Sequence, residues 1–134
     1  MKILLAVDDS ECAMRAVAHV VKRIRDFRVS PEIHLVHVQF TSPGREAVPG
    51  YYKEESAKAL EPARNALQRA GIEFEEVHLL DRQPGVAIAH YASSGNFSLI
   101  VLGSHGQGAV SSLLLGSVAH DVLSNCSNPA LMVR

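Results

Sequence analysis

Residues 2–21 read KILLAVDDSECAMRAVAHVV, and they hold the first strand and the first helix of the predicted fold. The apolar run at residues 2–7 has the length of one strand, and its continuity is typical of a strand that is buried on both faces. At residues 13–27, apolar side chains recur at the spacing of one helical face. Ser10 or Asp9 is expected to cap this helix. A buried strand followed directly by an amphipathic helix indicates a parallel α/β fold.

The alternation of strands and helices continues to the end of the chain. Further strands are predicted at residues 32–40, 73–80, 98–103 and 128–134, and further helices at residues 57–71, 83–95 and 118–126. Pro62 lies inside the second helix, where we expect a kink or a new helix start. The order predicts an α/β fold with one doubly wound, five-stranded parallel sheet in the strand order 3-2-1-4-5 and helices on both faces, as in flavodoxin-like and Rossmann-like folds. We expect residues 1–134 to form a single domain.

The composition limits the classes of partner. The chain has 134 residues, a formal net charge of −1 and 47% hydrophobic residues, which describe an ordinary globular protein. Its charge gives no long-range attraction for nucleic acid or for an anionic membrane. No apolar run approaches the roughly 20 residues that span a bilayer, and no signal-peptide pattern is evident. We therefore expect a cytoplasmic protein with no nucleic-acid partner and no membrane partner.

A glycine-rich and serine-rich segment follows the fourth predicted strand. Residues 103–117 read GSHGQGAVSSLLLGS, with four glycines and four serines. Ligands of a doubly wound sheet bind outside the carboxyl ends of the strands, where this segment would meet the VDDS turn of the first strand. Glycines let backbone N–H groups converge on an anion, and a helix that begins after Gly116 would add the positive end of its dipole. From spacing alone, an anion-binding loop and a plain turn before a helix are equal alternatives.

Two well-known phosphate loops are absent from the sequence. G-x-x-x-x-G-K-[ST] occurs nowhere, and the first strand is followed by VDDSE, which contains no glycine. These observations exclude an ordinary P-loop NTPase and disfavour a dinucleotide-binding Rossmann enzyme. A flavodoxin-like electron carrier is disfavoured as well, because the acidic turn would repel a flavin phosphate.

Over essentially its whole length, the chain resembles a single-domain universal stress protein of the ATP-binding type. The family's signature G-x2-G-x9-G-[S/T] is filled by Gly103, Gly106, Gly116 and Ser117. The segments ILLAVDDSE, HLVHV and PALMVR are similar to strands one, two and five of the family. The resemblance implies an adenine nucleotide hydrolase-like fold and an ATP-binding protein that acts as a nucleotide-dependent switch or adaptor in stress response.

The resemblance also implies which residues contact the adenosine part of the nucleotide. Asp8 matches the acidic residue that contacts adenosine, and Val38 matches the position whose backbone meets adenine. Ala6 would line the ribose. Leu102 and Gly103 would lie along the ribose and the α-phosphate.

For the phosphates, the resemblance implies a cradle formed by Gly106, Gly116, Ser117 and Val118. Further candidates in the same loop are Ser104, His105 and Gln107. Many relatives carry an arginine at the position of Gln107, so one positive charge is missing here. Magnesium or manganese would bind the phosphate oxygens, because the sequence has no evident cage of protein ligands for a metal. His34 and His37 lie three apart on a strand, so they face opposite sides and cannot share an ion.

The last predicted strand, with the sequence ALMV, would lie at an edge of the sheet and invite pairing with a second chain. The family pairs this strand across a two-fold axis, which implies a homodimer, and its adaptor role implies an unknown protein partner. At most, slow ATP hydrolysis or self-phosphorylation is expected, with Ser111, Ser112 and Ser117 as conceivable acceptors. The alternative function is a dimeric interaction module of the same fold that binds no nucleotide.

Overall fold

A parallel sheet of five strands organises the computed structural model, which describes residues 1–41, 50–106 and 115–134. The strands are β1 (Lys2–Ala6), β2 (Glu32–Phe40), β3 (Glu75–Asp81), β4 (Leu99–Gly103) and β5 (Ala130–Val133). The helices are α1 (Glu11–Arg23), α2 (Tyr51–Arg69), α3 (Pro84–Ser94) and α4 (Ser117–Asn125), with a short 3₁₀ turn at Ile24–Asp26. The strand order is β3-β2-β1-β4-β5, which confirms the predicted topology.

Two apolar layers cover the two faces of the sheet. Ile3 and Leu5 pack with α1 and α2 on one face. Leu4 and Ala6, which alternate with them along β1, pack with α3 and α4 on the other face. The central strand is therefore buried on both faces, as its continuous hydrophobicity predicts. This doubly wound arrangement places the reversal of winding between β1 and β4.

The turn between β1 and α1 is fixed by two side-chain hydrogen bonds. The backbone N–H of Ser10 donates to Asp8 Oδ1 at 2.9 Å. Ser10 Oγ in turn accepts from the N–H of Ala13 at 3.1 Å, so Ser10 is the N-cap of α1. Of the two predicted caps, Ser10 is correct. The hydrogen bond from Ser10 also fixes the Asp8 carboxylate at the end of β1.

Helix α2 differs from the prediction in two ways. It begins at Tyr51 instead of residue 57, and it runs through Pro62 without a new start. Its first turns are polar, so the spacing of apolar residues could not reveal them. Leu60 and Leu67, on either side of the proline, are both fully buried in the core. Their packing outweighs the roughly 3 kcal/mol that an interior proline costs a helix.

The two edges of the sheet have different chemistry. β3 begins at Glu75 and carries charged residues near both of its ends, which suits an edge strand. β5 forms the other edge with the apolar sequence ALMV. The helices within the described ranges include none that is long and apolar enough to cross a bilayer.

Candidate functional site

A cavity of about 490 Å³ opens at the carboxyl ends of β1, β2 and β4. We call it the carboxyl-end cavity. Residues from the turn after β1, the end of β2, the turn after β4 and the start of α4 line it. Its position follows from the topology, because the chain turns to opposite faces of the sheet after β1 and β4 and leaves a crevice between them.

Most of the residues that the sequence singled out line this cavity. Those from the main set are Ala6, Asp8, Val38, Leu102, Gly103, Gly106, Gly116, Ser117 and Val118. Two of the further candidates, Ser104 and His105, line it too. Gln107 lies outside the described residues, as do Ser111 and Ser112. The cavity therefore brings together predicted residues as distant in the chain as Ala6 and Val118, which are 112 positions apart.

Asp8 lies close to the turn after β4. A Cβ atom on Gly106 would approach Asp8 Oδ2 to 2.7 Å, which is closer than side chains tolerate. Asp8 Oδ1 already accepts the hydrogen bond from Ser10. The absence of a side chain at Gly106 thus lets the turn after β4 approach the carboxylate at the end of β1.

The backbone of Val38 reaches the cavity because β1 is shorter than β2. The last hydrogen bond between these strands runs from the N–H of Val7 to the carbonyl of Val36 at 2.9 Å. The backbone groups of Val38, two residues further along, point to the same side of β2 as those of Val36. β1 ends at Ala6, so these groups extend past its end toward the cavity. They form an adjacent donor and acceptor, which suits the edge of a heterocyclic base.

Gly103 has a packing role that the sequence did not indicate. A Cβ atom at this position would lie 2.7 Å from Cys12 Cβ and 2.9 Å from the backbone nitrogen of Ala13. The first turn of α1 therefore rests directly on the end of β4. Glycine is required here to let helix and strand approach, whatever the cavity binds.

The start of α4 is tied to the end of β4. The N–H of Gly116 donates to the carbonyl of Ser104 at 2.7 Å, so this glycine does not offer its N–H to the cavity. The next three residues, Ser117, Val118 and Ala119, supply the first N–H groups inside the helix, and all three line the cavity. The first N–H groups of a helix lack partners within it and favour a negatively charged ligand.

Charged side chains are sparse around this space. In the part of the chain that the structure describes, the lining includes one carboxylate, Asp8, and no lysine or arginine. Among the described residues, the α4 N-terminus and backbone N–H groups are thus the main groups that could hold an anion. The remaining walls are largely apolar, which suits a flat organic group beside the anion.

The structure adds lining residues that the sequence analysis missed. Phe40, which is 58% exposed, lies at the rim two residues after Val38, on the same edge of β2. The strand period of two could have identified it. Pro84 and Ile88 come from α3, and Ala119 comes from α4. Their contribution depends on how these helices pack, which no local pattern reveals.

A chain of polar side chains that runs from the interior to the surface lies beside the cavity, between β2, β3 and α2. The hydroxyl of Ser56, which is 1% exposed, lies 2.7 Å from Nδ1 of His37 and 2.7 Å from Nδ1 of His78. A hydroxyl donates one hydrogen bond, so one of these nitrogens is protonated and the other accepts. Burial lowers the pKa of His37, which the charge of Asp8 partly opposes. His37 is consequently a neutral, structural residue next to the site.

Sequence comparison places this chain among known relatives. The sequence model of the universal stress protein family matches residues 1–134. A universal stress protein of Thermus aquaticus, encoded in the QAH/OAS sulfhydrylase 3' region, is 34% identical over 136 residues, which cover 98% of this chain and 97% of the relative.

Solved structures of universal stress proteins are also similar to this chain. The protein MJ0577 of Methanocaldococcus jannaschii is 27% identical, and its structure aligns with a TM-score of 0.82 over 98% of this chain and 94% of that one. The universal stress protein of Archaeoglobus fulgidus, solved in complex with dAMP, is 25% identical, with a TM-score of 0.76 over 100% of this chain and 98% of that one.

Proposed function

This chain belongs to the universal stress protein family, and from that premise we propose that its carboxyl-end cavity binds ATP, so that the protein acts as a nucleotide-dependent switch or adaptor in stress response. One observation carries the proposal: the signature residues Gly103, Gly106, Gly116 and Ser117 border a single cavity with the N-terminus of α4. The complex of the Archaeoglobus fulgidus relative with dAMP supports an adenine nucleotide as the ligand.

The adenosine would occupy the apolar side of the cavity. The adjacent N–H and carbonyl of Val38 match the donor and acceptor pattern on the edge of adenine. Asp8, fixed by its hydrogen bond from Ser10, would accept a hydrogen bond from the ribose or the base. Ala6 and Leu102 would lie against the ribose, and the ring of Phe40 would cover an outer part of the base.

The phosphates would extend toward α4. The N–H groups of Ser117, Val118 and Ala119 would donate to phosphate oxygens, and the helix dipole would favour their charge. The described lining holds no lysine or arginine, so magnesium or manganese on the phosphates would neutralise much of the remaining charge. Phosphate oxygens and water are ligands that suit these hard cations. Among the described residues no lysine or arginine clamps the phosphates, which fits stable binding or slow turnover better than rapid phosphoryl transfer.

A charge introduced at the start of α4 tests this proposal. Ser117 is exposed at the first position of the helix, where aspartate stabilises a helix. Ser117→Asp should therefore keep the fold but repel the phosphates. We expect the Kd for magnesium-ATP to rise about tenfold or more, because like charges near a surface repel by up to about 4 kcal/mol at 4 Å. Isothermal titration calorimetry measures the effect.

The matched control is Ser127→Asp, which adds the same charge at an exposed residue beyond the C-terminus of α4. It should leave the Kd unchanged. Equal affinities for the two variants would refute the phosphate position. If the unmodified protein shows no saturable binding at millimolar ATP, the cavity is not a nucleotide site, and the dimeric interaction module becomes the preferred function.

We further propose a homodimer formed by β5. This strand is the last of the sheet, and Leu131 on it is 36% exposed. An apolar edge strand favours pairing with its own copy about a two-fold axis. Leu131→Lys should convert the dimer into a monomer in analytical ultracentrifugation. A monomeric unmodified protein, or a variant that stays dimeric, would contradict this interface.

A further inference from the structure

Three side chains meet at the opposite end of the sheet from the carboxyl-end cavity. Glu32 is the first residue of β2, His34 lies two residues further on the same face, and Glu75 is the first residue of β3. The parallel register pairs His34 with Glu75. One ligand atom from each of the three lies within 4.8 Å of the others. We call this group the amino-end cluster.

The imidazole at the centre of the cluster is held firmly. His34 is 5% exposed, and its ring packs edge-on against Phe97 with 4.9 Å between the centroids. Its Nδ1 lies 2.8 Å from the hydroxyl of Tyr91. Its Nε2 faces the two carboxylates, at 2.8 Å from Glu32 and 3.4 Å from Glu75. The buried ring thus presents one nitrogen to two exposed carboxylates at the surface.

We propose that the amino-end cluster binds a divalent transition-metal ion of the zinc class, through Nε2 of His34 and one carboxylate oxygen each from Glu32 and Glu75. One imidazole and two carboxylates are ligands that zinc accepts, with water completing the coordination. Ligand atoms around a tetrahedral zinc ion lie about 3.3 Å apart. The two distances from Nε2, 2.8 and 3.4 Å, bracket this separation. Small rotations of two exposed carboxylates would complete the geometry.

Tyr91 provides the outer support that such a site needs. A metal on Nε2 requires the proton of the imidazole to be on Nδ1, where it would donate to the Tyr91 hydroxyl. Burial raises the pKa of Tyr91, and the charges of Glu75 and Glu32 act in the same direction. The phenol is therefore neutral and can accept this hydrogen bond. Metal binding would therefore shift the single imidazole proton from Nε2, where it joins Glu32, to Nδ1.

Two positive groups lie near the cluster. The hydrogen bond from His34 lowers the pKa of the Glu32 carboxyl, and Lys2 and the N-terminus act in the same direction. The Lys2 ammonium itself donates to the carbonyl of Gly95 at 3.0 Å and lies over the ring of Phe97. The side chains of Glu32 and Glu75 are more than half exposed, so an ion can enter from solvent.

Zinc titration of the untagged full chain, treated with chelator and free of nucleotide, tests the proposal. We expect saturable binding of one Zn²⁺ per chain. Glu75→Gln should raise the Kd for zinc more than tenfold. Tyr91→Phe, which removes only the outer support, should raise it on the order of tenfold. Glu75 is exposed, so its replacement should not disturb the fold, and circular dichroism checks this. Glu73→Gln, which removes an equally exposed carboxylate outside the cluster, should bind zinc as the unmodified protein does.

Two further measurements separate this site from others. Excess Mg²⁺ should not compete, because an imidazole ligand disfavours this cation. Zinc binding should weaken on acidification, because metal ligands bind in their deprotonated form. A lack of saturable 1:1 binding would overturn the proposal, as would a Glu75→Gln variant with unchanged affinity. Ser117→Asp should leave zinc binding intact, so failure of the nucleotide proposal and failure of this one are distinguishable.

Discussion

The two ends of the same parallel sheet carry different kinds of chemistry. At the carboxyl ends, the strands lead into turns and helix N-termini, and the cavity presents mainly backbone N–H and carbonyl groups. At the amino ends, His34 stands between Glu32 and Glu75, and the chemistry belongs to side chains. Backbone groups suit an extended anion with a flat base, whereas the clustered side chains suit a compact cation. We therefore propose two sites of opposite charge preference on this fold.

A substitution on β4 should show how rigid the carboxyl end is. Gly103→Val would place a Cβ atom within 3 Å of Cys12 and Ala13, so the first turn of α1 would have to move away from the sheet. We expect the free energy of unfolding to fall by about 3 kcal/mol and the cavity to change shape. Denaturation in urea measures the loss.

The matched substitution lies near the other end of the same strand. Ser98→Thr enlarges an exposed side chain just before β4 and keeps the hydroxyl that accepts a hydrogen bond from the backbone N–H of Lys2 at 3.2 Å. The free energy of unfolding should change by no more than about 0.5 kcal/mol. If the free energy of unfolding falls by a similar amount in both variants, the close contact between β4 and α1 does not make the carboxyl end of β4 less tolerant of a larger side chain than its amino end.

A smaller effect is expected from pH, through His37. Burial lowers the pKa of His37 below its ordinary value of 6.5, so the unfolded chain binds a proton more readily than the folded one. The contribution of this group is complete above pH 6.5 and declines as the pH falls below it. The free energy of unfolding should therefore decrease on acidification. Asparagine keeps a polar atom near the position of Nδ1 but cannot titrate.

His37→Asn should thus make the free energy of unfolding depend less on pH below 6.5. At neutral pH the variant should lose about 1 kcal/mol of that free energy, because the hydrogen bond to Ser56 is altered. Denaturation at a series of pH values gives both curves. Parallel curves for the variant and the unmodified protein would show that other groups cause the pH dependence.

The carboxyl-end cavity was largely predictable because its signals are local. A continuous apolar run predicted β1, the turn after it offered Ser10 or Asp9 as the cap of α1, and a spaced set of glycines marked the turn after β4. Each feature depends on residues close together in the chain. The topology of a doubly wound sheet then brought these segments to one rim.

What the sequence could not reveal depends on packing and register. Gly103 is a glycine because Cys12 lies against it, a contact between distant segments. The polar beginning of α2 is anchored by Ser56, whose partners come from β2 and β3. The amino-end cluster exists only because β2 and β3 pair with His34 opposite Glu75. A shift of one residue in that register would place Glu75 on the other face of the sheet.

The central claim is that the carboxyl-end cavity holds an adenine nucleotide, and a crystal structure of the protein with ATP and magnesium tests it most directly. We expect the adenine edge against the backbone of Val38, the ribose near Asp8, and the phosphates at the N–H groups of Ser117 and Val118. Nucleotide bound outside this cavity, or crystals grown at saturating ATP that contain none in it, would contradict the claim.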